Sequence, residues 1–238
     1  MTGREPKSRM RGVVGVLALQ GDFREHKEAL KRLGIEAKEV RKKEHLEGLK
    51  ALIVPGGEST TIGKLAREYG IEDEVRKRVE EGSLALFGTC AGAIWLAKEI
   101  VGYPEQPRLG VLEAWVERNA FGRQVESFEE DLEVRGLGPF HGVFIRAPAF
   151  RKLGEGVEVL AELNGLPVLV RQGKILASAF HPELTDDVRL HRQLVAAARK
   201  GAETGETSAH EGEPRRLGDG SQAERTAAVA TDEEVRGR

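Results

Sequence analysis

The chain has 238 residues, 39% of them hydrophobic and 32% charged, with a formal net charge of −2 and one cysteine. That length allows one or two domains, and about 200 residues suffice for a single ample core. No apolar run reaches the roughly 18 residues of a membrane span, the near-neutral charge argues against nucleic acid as the main partner, and a lone cysteine excludes an internal disulfide or a cysteine-rich zinc site.

Residues 1–11 are polar and basic and read as a disordered leader. They have no apolar signal-peptide core, so a cytoplasmic location is expected. Residues 13–19 form a near-continuous apolar run, the pattern of a parallel strand buried on both faces. Gln20-Gly21-Asp22 breaks it. Residues 23–33 carry Phe23, Leu30 and Leu33 at helical spacing, with Gly34 as the stop. A second strand is expected over 35–40 and a third, buried, over 51–54. The third ends in Pro55-Gly56-Gly57-Glu58-Ser59-Thr60-Thr61, a loop that opens a helix over 60–69. A charged surface helix follows over 72–81.

The next stretch organises the chain. An apolar strand from Ser83 runs into Gly88-Thr89-Cys90-Ala91-Gly92 and then into helix formers over 93–100. The G-x-C-x-G turn is the cysteine form of a nucleophile elbow, where a tight strand-to-helix turn lifts a nucleophile above a sheet. A cysteine at a helix start is favoured as thiolate, the reactive form. Taken alone, the same cysteine reads equally well as a small buried core residue.

Beyond residue 108 the runs shorten: 109–117, 143–146, 157–161, 168–171 and 175–180, separated by glycine, proline and Asn-Gly turns. They predict an antiparallel or mixed extension of the sheet. Asn164-Gly165 signals a hairpin, which Pro167 weakens. A final helix is expected over 186–200. Residues 201–238 hold only Leu217, Val229 and Val235 as large aliphatics and read as a disordered tail. The alternation of strands and helices predicts an α/β three-layer sandwich: a mostly parallel central sheet extended by antiparallel strands, in one domain over 12–200.

Phe180-His181-Pro182-Glu183 follows the last apolar run. Pro182 pushes His181 toward extended backbone, where residues two apart point the same way. Glu183 then orients His181, which faces a nucleophile. Alone, the pattern also fits a strand-end turn with a solvated carboxylate. Both Cys90 and His181 fall at strand ends, where open α/β sheets place their sites. The Gly56-Gly57 backbone and the Ala91 N–H are candidates to hold an oxyanion. No phosphate-loop pattern is present, and His26, His45, His141, His191 and His210 show no metal-ligand spacing.

These stretches resemble the class I, triad-type glutamine amidotransferases, most closely the glutaminase subunits of pyridoxal 5′-phosphate synthases. The resemblance rests on residues 15–21, on Pro55 to Thr61, on the elbow, and on Val116-Glu117-Arg118-Asn119-Ala120-Phe121-Gly122-Arg123-Gln124. It rests also on Gly142-Val143-Phe144-Ile145-Arg146-Ala147-Pro148 and Ser178-Ala179-Phe180-His181-Pro182-Glu183-Leu184. It covers about residues 12–198. It implies Cys90 as nucleophile, His181 as base and Glu183 as its orienter. Gly57, Glu58 and Ser59 would line the glutamine site, with Arg118, Ile145 and Arg146 binding substrate. An arginine suits the α-carboxylate of glutamine through a bidentate, charge-assisted pair. The implied partners are L-glutamine and a separate (β/α)8-barrel synthase subunit that receives ammonia, with no nucleic acid, membrane, cofactor or metal. The alternatives are an amidotransferase subunit for another acceptor and a catalytically silent docking subunit.

Overall fold

The computed structural model describes residues 13–121 and 127–206. The expected leader and most of the expected tail lie outside these residues. The strands are β1 (Val14–Leu17), β2 (Lys38–Val40), β3 (Ala51–Val54), β4 (Ala85–Thr89), β5 (Ala97–Ile100), β6 (Leu112–Glu117), β7 (Ser127–Val134), β8 (Gly138–Ile145), β9 (Ala149–Leu153), β10 (Glu158–Leu163), β11 (Leu166–Gln172) and β12 (Ile175–Ser178). The helices are α1 (Phe23–Arg32), α2 (Ser59–Glu68), α3 (Ile71–Glu80), α4 (Ala91–Leu96) and α5 (Arg189–Glu206).

Every residue of β1, β3, β4 and β12 is buried, as expected for strands covered on both faces. Their side chains alternate between two cores with the period of two that a pleated strand imposes. Leu17, Leu52, Val54, Leu86 and Ala177 face a core that also takes Ile62 and Ala66 of α2, Val75 of α3 and Trp95 of α4. Val16, Ile53, Phe87 and Leu176 face the opposite core, with Leu30 of α1 and Leu190 and Leu194 of α5. Helices therefore cover both faces, giving three layers.

The main sheet has seven strands in the order β10-β11-β12-β4-β3-β1-β2. β12, β4, β3, β1 and β2 run parallel, and β10 and β11 add an antiparallel edge. Strand β4 lies between β3 and β12, with Val54 opposite Gly88 and Ser178 opposite Thr89. The carboxyl ends of these strands consequently deliver Pro55, Cys90 and the approach to His181 side by side. Asn164 and Gly165, at φ 52 and 75, form the β10–β11 hairpin turn, the left-handed pair that two-residue hairpins require.

Four expectations need correction. The helix after the elbow stops at Leu96 instead of running to Ile100, and β5 follows at once. The carbonyls of Trp95 and Leu96 accept from Leu109 and Val111 N–H at 2.7 and 3.1 Å, so the chain past residue 108 takes the bonds that another helical turn would have used. Second, the segment after residue 108 does not all extend the main sheet. β5, β6 and β9 form a three-stranded sheet and β7 with β8 a separate hairpin. Third, β7 and most of β8 form where the apolar pattern predicts no strand. Fourth, α5 starts at Arg189 and reaches Glu206, beyond the expected end at Lys200.

Candidate active site

Cys90 joins β4 to α4 with φ 47 and ψ −104, a backbone region sparsely populated by residues with a side chain. The flanking glycines make the turn possible. A Cβ on Gly92 would lie 2.0 Å from the Val54 carbonyl oxygen, and one on Gly88 2.8 Å from the Gly92 carbonyl carbon. The helix therefore packs backbone to backbone on the sheet. The Cys90 N–H donates to the Ser178 carbonyl at 2.8 Å, tying the elbow to β12. The side chain is buried, with Sγ 3.8 Å from the Ile145 carbonyl oxygen.

His181 follows β12 and is buried, its Nδ1 2.8 Å from Glu183 Oε1. Cys90 is close enough to act on the same ring and favour its protonated form. Thiol, imidazole and carboxylate are thus brought together at the carboxyl ends of β4 and β12. Glu183 reaches His181 from a 3-10 turn, Pro182–Leu184, and not along the extended segment expected. Asp22, at the start of α1, places Oδ2 3.5 Å from the same Nδ1.

The loop after β3 closes over these groups. A Cβ on Gly56 would lie 2.4 Å from His181 Cε1. Gly57 has φ 142, a conformation open essentially to glycine. Its neighbour Glu58 caps α2, accepting from the Thr60 and Thr61 N–H at 3.2 and 2.7 Å. Burial pushes the Glu58 carboxyl up, but hydrogen bonds from Thr61 and Thr60 outweigh this and hold it below the usual value. Ser59 is buried, and its hydroxyl accepts from Gln106 at 2.9 Å. The Gln106 carbonyl in turn accepts from Arg118 at 2.8 Å. Arg118 lies 4.0 Å from Glu58 and over the Tyr103 ring at 4.8 Å. Ile145 ends β8 beside Cys90, and exposed Arg146 follows at φ 42. Ala120 N–H bonds to the Ala147 carbonyl at 3.0 Å, which joins the segments bearing Arg118 and Arg146. Of the matched stretch around Arg118, Gly122, Arg123 and Gln124 lie outside the described residues.

A family model described as the SNO glutamine amidotransferase family matches residues 16–200. The chain belongs to this family. It is 92% identical over 189 residues to a pyridoxal 5′-phosphate synthase subunit PdxT of Thermus thermophilus, covering 79% of this chain and 99% of that protein. The PdxT of Pelotomaculum thermopropionicum is 58% identical over 184 residues, covering 76% and 93%. A crystal structure of a glutamine amidotransferase, 91% identical, superposes with a TM-score of 0.77 over 79% of this chain and 99% of that one. The PurLQS structure from Thermotoga maritima is only 18% identical, with a TM-score of 0.59 over 78% and 97%, and shares the fold.

In this amidotransferase the electrostatics follow from burial. Burial alone would lower the pKa of His181, but neighbouring Cys90 and the hydrogen bond to Glu183 outweigh it and raise it to about 10. Burial pushes the Glu183 carboxyl above the usual range, against the hydrogen bond from His181. Sequence reasoning missed several neighbours of the site. Gln20 accepts from the Glu58 N–H at 2.7 Å. Gln106 links Ser59 to Arg118. His26, one of the histidines without metal-ligand spacing, is fully buried beside Glu183. Asp22 stands at the N-cap of α1, and His26 lies one turn further on, on the buried face of the helix. That spacing was the available signal. Among the described residues, Asp22, His181 and Glu183 bring donor atoms within 4.8 Å of one another. A cation there would have to displace the His181–Glu183 hydrogen bond.

Proposed function

We propose that this amidotransferase is the glutaminase subunit of a pyridoxal 5′-phosphate synthase, hydrolysing L-glutamine to L-glutamate and ammonia for a synthase partner. The observation that carries the reading is the buried His181–Glu183 pair set beside Cys90 at its strained elbow. The names of its relatives support the choice of acceptor.

The Cys90 thiolate attacks the side-chain amide carbon of glutamine, and a C–S bond forms. The carbonyl oxygen becomes an oxyanion held by the Gly57 and Ala91 N–H groups. The Ala91 N–H is the first of α4 and has no partner within the helix. Such donors act where charge develops. The C–N bond breaks as His181, held protonated by its raised pKa, delivers its proton to the leaving nitrogen, and ammonia departs. Neutral His181 then takes a proton from water, whose oxygen attacks the glutamyl thioester carbon; the C–S bond breaks, glutamate leaves, and the Cys90 thiolate and protonated His181 are restored. Glu183 orients the imidazole throughout. Gly57, Glu58 and Ser59 line the glutamine side of the site. Arg118, Ile145 and Arg146 meet the substrate's α-carboxylate end. Ammonia passes to a (β/α)8-barrel synthase subunit. An intact triad favours this over a silent docking role.

The test is glutamate release by the full chain and by Cys90→Ala, each with the synthase subunit of the same source. Near-complete loss in the variant is expected. Turnover close to the unmodified chain would overturn the assignment of Cys90. Glutamate release with no incorporation of amide nitrogen into pyridoxal 5′-phosphate would point to another acceptor.

A further inference from the structure

The triad does not end at Glu183. Its Oε1 is engaged by His181, whereas Oε2 is buried and has no hydrogen-bond partner among the described residues. An uncompensated carboxylate oxygen in such a place is costly. His26 Nε2 lies 3.4 Å from Oε2. The same Nε2 is 3.0 Å from Thr89 Oγ1, the residue before the nucleophile. The other ring nitrogen, Nδ1, is 2.9 Å from His191 Nε2 on α5. Both histidines are fully buried and pack edge-on against Phe87 of β4.

The hydrogen-bond pattern selects one tautomer. With its proton on Nδ1, His26 Nε2 would accept from the Thr89 hydroxyl and leave lone-pair density, not a positive edge, 3.4 Å from the Glu183 carboxylate. His191 Nε2 would then have to accept, leaving a buried Nδ1–H with no acceptor, since His191 Nδ1 has no partner among the described residues. With the proton on Nε2, each difficulty disappears. His26 Nε2–H then donates to Thr89 Oγ1 with its positive edge 3.4 Å from Glu183 Oε2, and Nδ1 accepts from His191 Nε2–H. Only a lone pair on His191 stays unpaired, which is the lesser penalty.

We infer that His26 is a positioning residue of the triad: its Nε2–H edge, held by Thr89, faces the second oxygen of Glu183 at 3.4 Å and so fixes the carboxylate that orients His181. The inference rests on the triad reading above. Burial, with His191 and His181 nearby, lowers the His26 pKa well below its ordinary value, so the ring is a neutral donor at working pH. The groups around this network are Asp22 of the α1 start, His181 and Glu183 after β12, and His191 of α5. Arg32 and Asp187 act on His191 from further away.

Glutamine and asparagine separate the two ring nitrogens. His26→Gln carries an amide N–H near the Nε2 position and can still serve Glu183. His26→Asn reproduces only the Nδ1 side, toward His191. Each variant, with His26→Leu and Glu183→Gln, is assayed as the full chain with the synthase subunit, and its melting temperature is recorded. Loss of an outer partner typically costs about 10–100-fold. The expected result is a kcat loss of that order in His26→Leu and His26→Asn, with KM for glutamine within about twofold. The acid limb of kcat/KM should move to higher pH, because Glu183 loses a group that favours its ionised form. His26→Gln should recover most of the rate. Equal losses in the Gln and Asn variants, tracking their melting temperatures, would show a packing role only and overturn the inference, and this comparison decides even if His26→Leu does not fold. A severe Glu183→Gln with a silent His26→Leu would overturn the inference alone. A silent Glu183→Gln would overturn the triad reading itself.

Discussion

Cys90 stands where a side chain strains the backbone, at φ 47 and ψ −104. Such conformations cost about 1–3 kcal/mol and persist where surrounding bonds over-determine them. Here the bond from Cys90 N–H to Ser178 and the close α4–β3 packing do so. Cys90→Ala should lose on the order of 10⁴-fold or more of its glutaminase rate while keeping the fold. Cys90→Gly should be at least as stable as Cys90→Ala, reversing the usual preference for alanine of about 0.5–1 kcal/mol. Thermal unfolding of the two variants checks this, and a clearly less stable glycine variant would show that the elbow is not strained. The buried histidines predict a second behaviour. Burial lowers the His191 pKa from 6.5 to about 4. Between those values the unfolded chain binds more protons than the folded one, so stability falls as pH drops from 6.5 toward 4. The shift corresponds to about 3 kcal/mol, or about 10 °C in melting temperature for a chain of this size. His26, lowered by burial, adds in the same direction. Melting curves at pH 7 and pH 4.5 test it, and His191→Phe should flatten the difference. His181 acts oppositely. Its pKa is raised, so its contribution is full below pH 6.5 and fades only as pH rises through about 10.

The elbow's geometry makes glycine positions unequal. Gly92→Ala would set a methyl group 2.0 Å from the Val54 carbonyl oxygen, a backbone atom of the neighbouring strand. The α4–β3 contact would have to open, costing about 1–3 kcal/mol or more as overpacking does, and moving Cys90 with it. Gly34→Ala meets no atom within 4 Å and is strained only by its φ of 75. Chemical denaturation should place Gly92→Ala well below Gly34→Ala in stability, with activity lost only in the former. The same elements show what the sequence reveals. Strands β1, β3, β4 and β12 are apolar on both faces, and that pattern sufficed to place them and the elbow. Strand β7, SFEEDLEV, is exposed along most of its length, with only Leu132 and Val134 buried. It has no apolar face to display until its last turn of pleat, so nothing in its pattern announced a strand. β5 was hidden for another reason. Ala97-Lys98-Glu99-Ile100 are acceptable in a helix, and only the distant partners of Trp95 and Leu96 end α4 there. Cys90, His181 and Glu183 were legible because each sits at a strand end in a recognisable turn. Gln106 and His26 were not, because their roles arise from contacts with Ser59, Arg118 and Glu183 far away in the chain.

The whole assembly of loops bears on how a glutaminase avoids releasing ammonia to solvent. The loop after β3, proposed above to hold the oxyanion, is held by the loop after β1. Glu58 N–H donates to Gln20 Oε1 at 2.7 Å, and Asp22 N–H donates to the Gly56 carbonyl at 3.2 Å. A Cβ on Gly57 would lie 2.3 Å from Gln20 Oε1, so the two loops fit only because that position is glycine. Gln20, Gly21 and Asp22 are each half-buried, so a partner seated on the carboxyl end of the sheet reaches them directly. Whatever moves Gln20 changes the bond that fixes Glu58, and Gly57 can change φ and ψ cheaply in response. We therefore predict that docking of the synthase subunit selects a loop state with a formed oxyanion site. One missing oxyanion donor costs on the order of 10²–10³ in rate, so the isolated chain should release glutamate slower than the complex by roughly that factor. Gln20→Ala removes the link between the two loops and should shrink the ratio of the two rates, with binding of the synthase subunit checked separately. Equal rates for the isolated chain and the complex would exclude gating by this loop. A full stimulation retained in Gln20→Ala would leave the gate in place but route it away from the Gln20–Glu58 bond, most directly through the second link between the loops, Asp22 N–H to the Gly56 carbonyl.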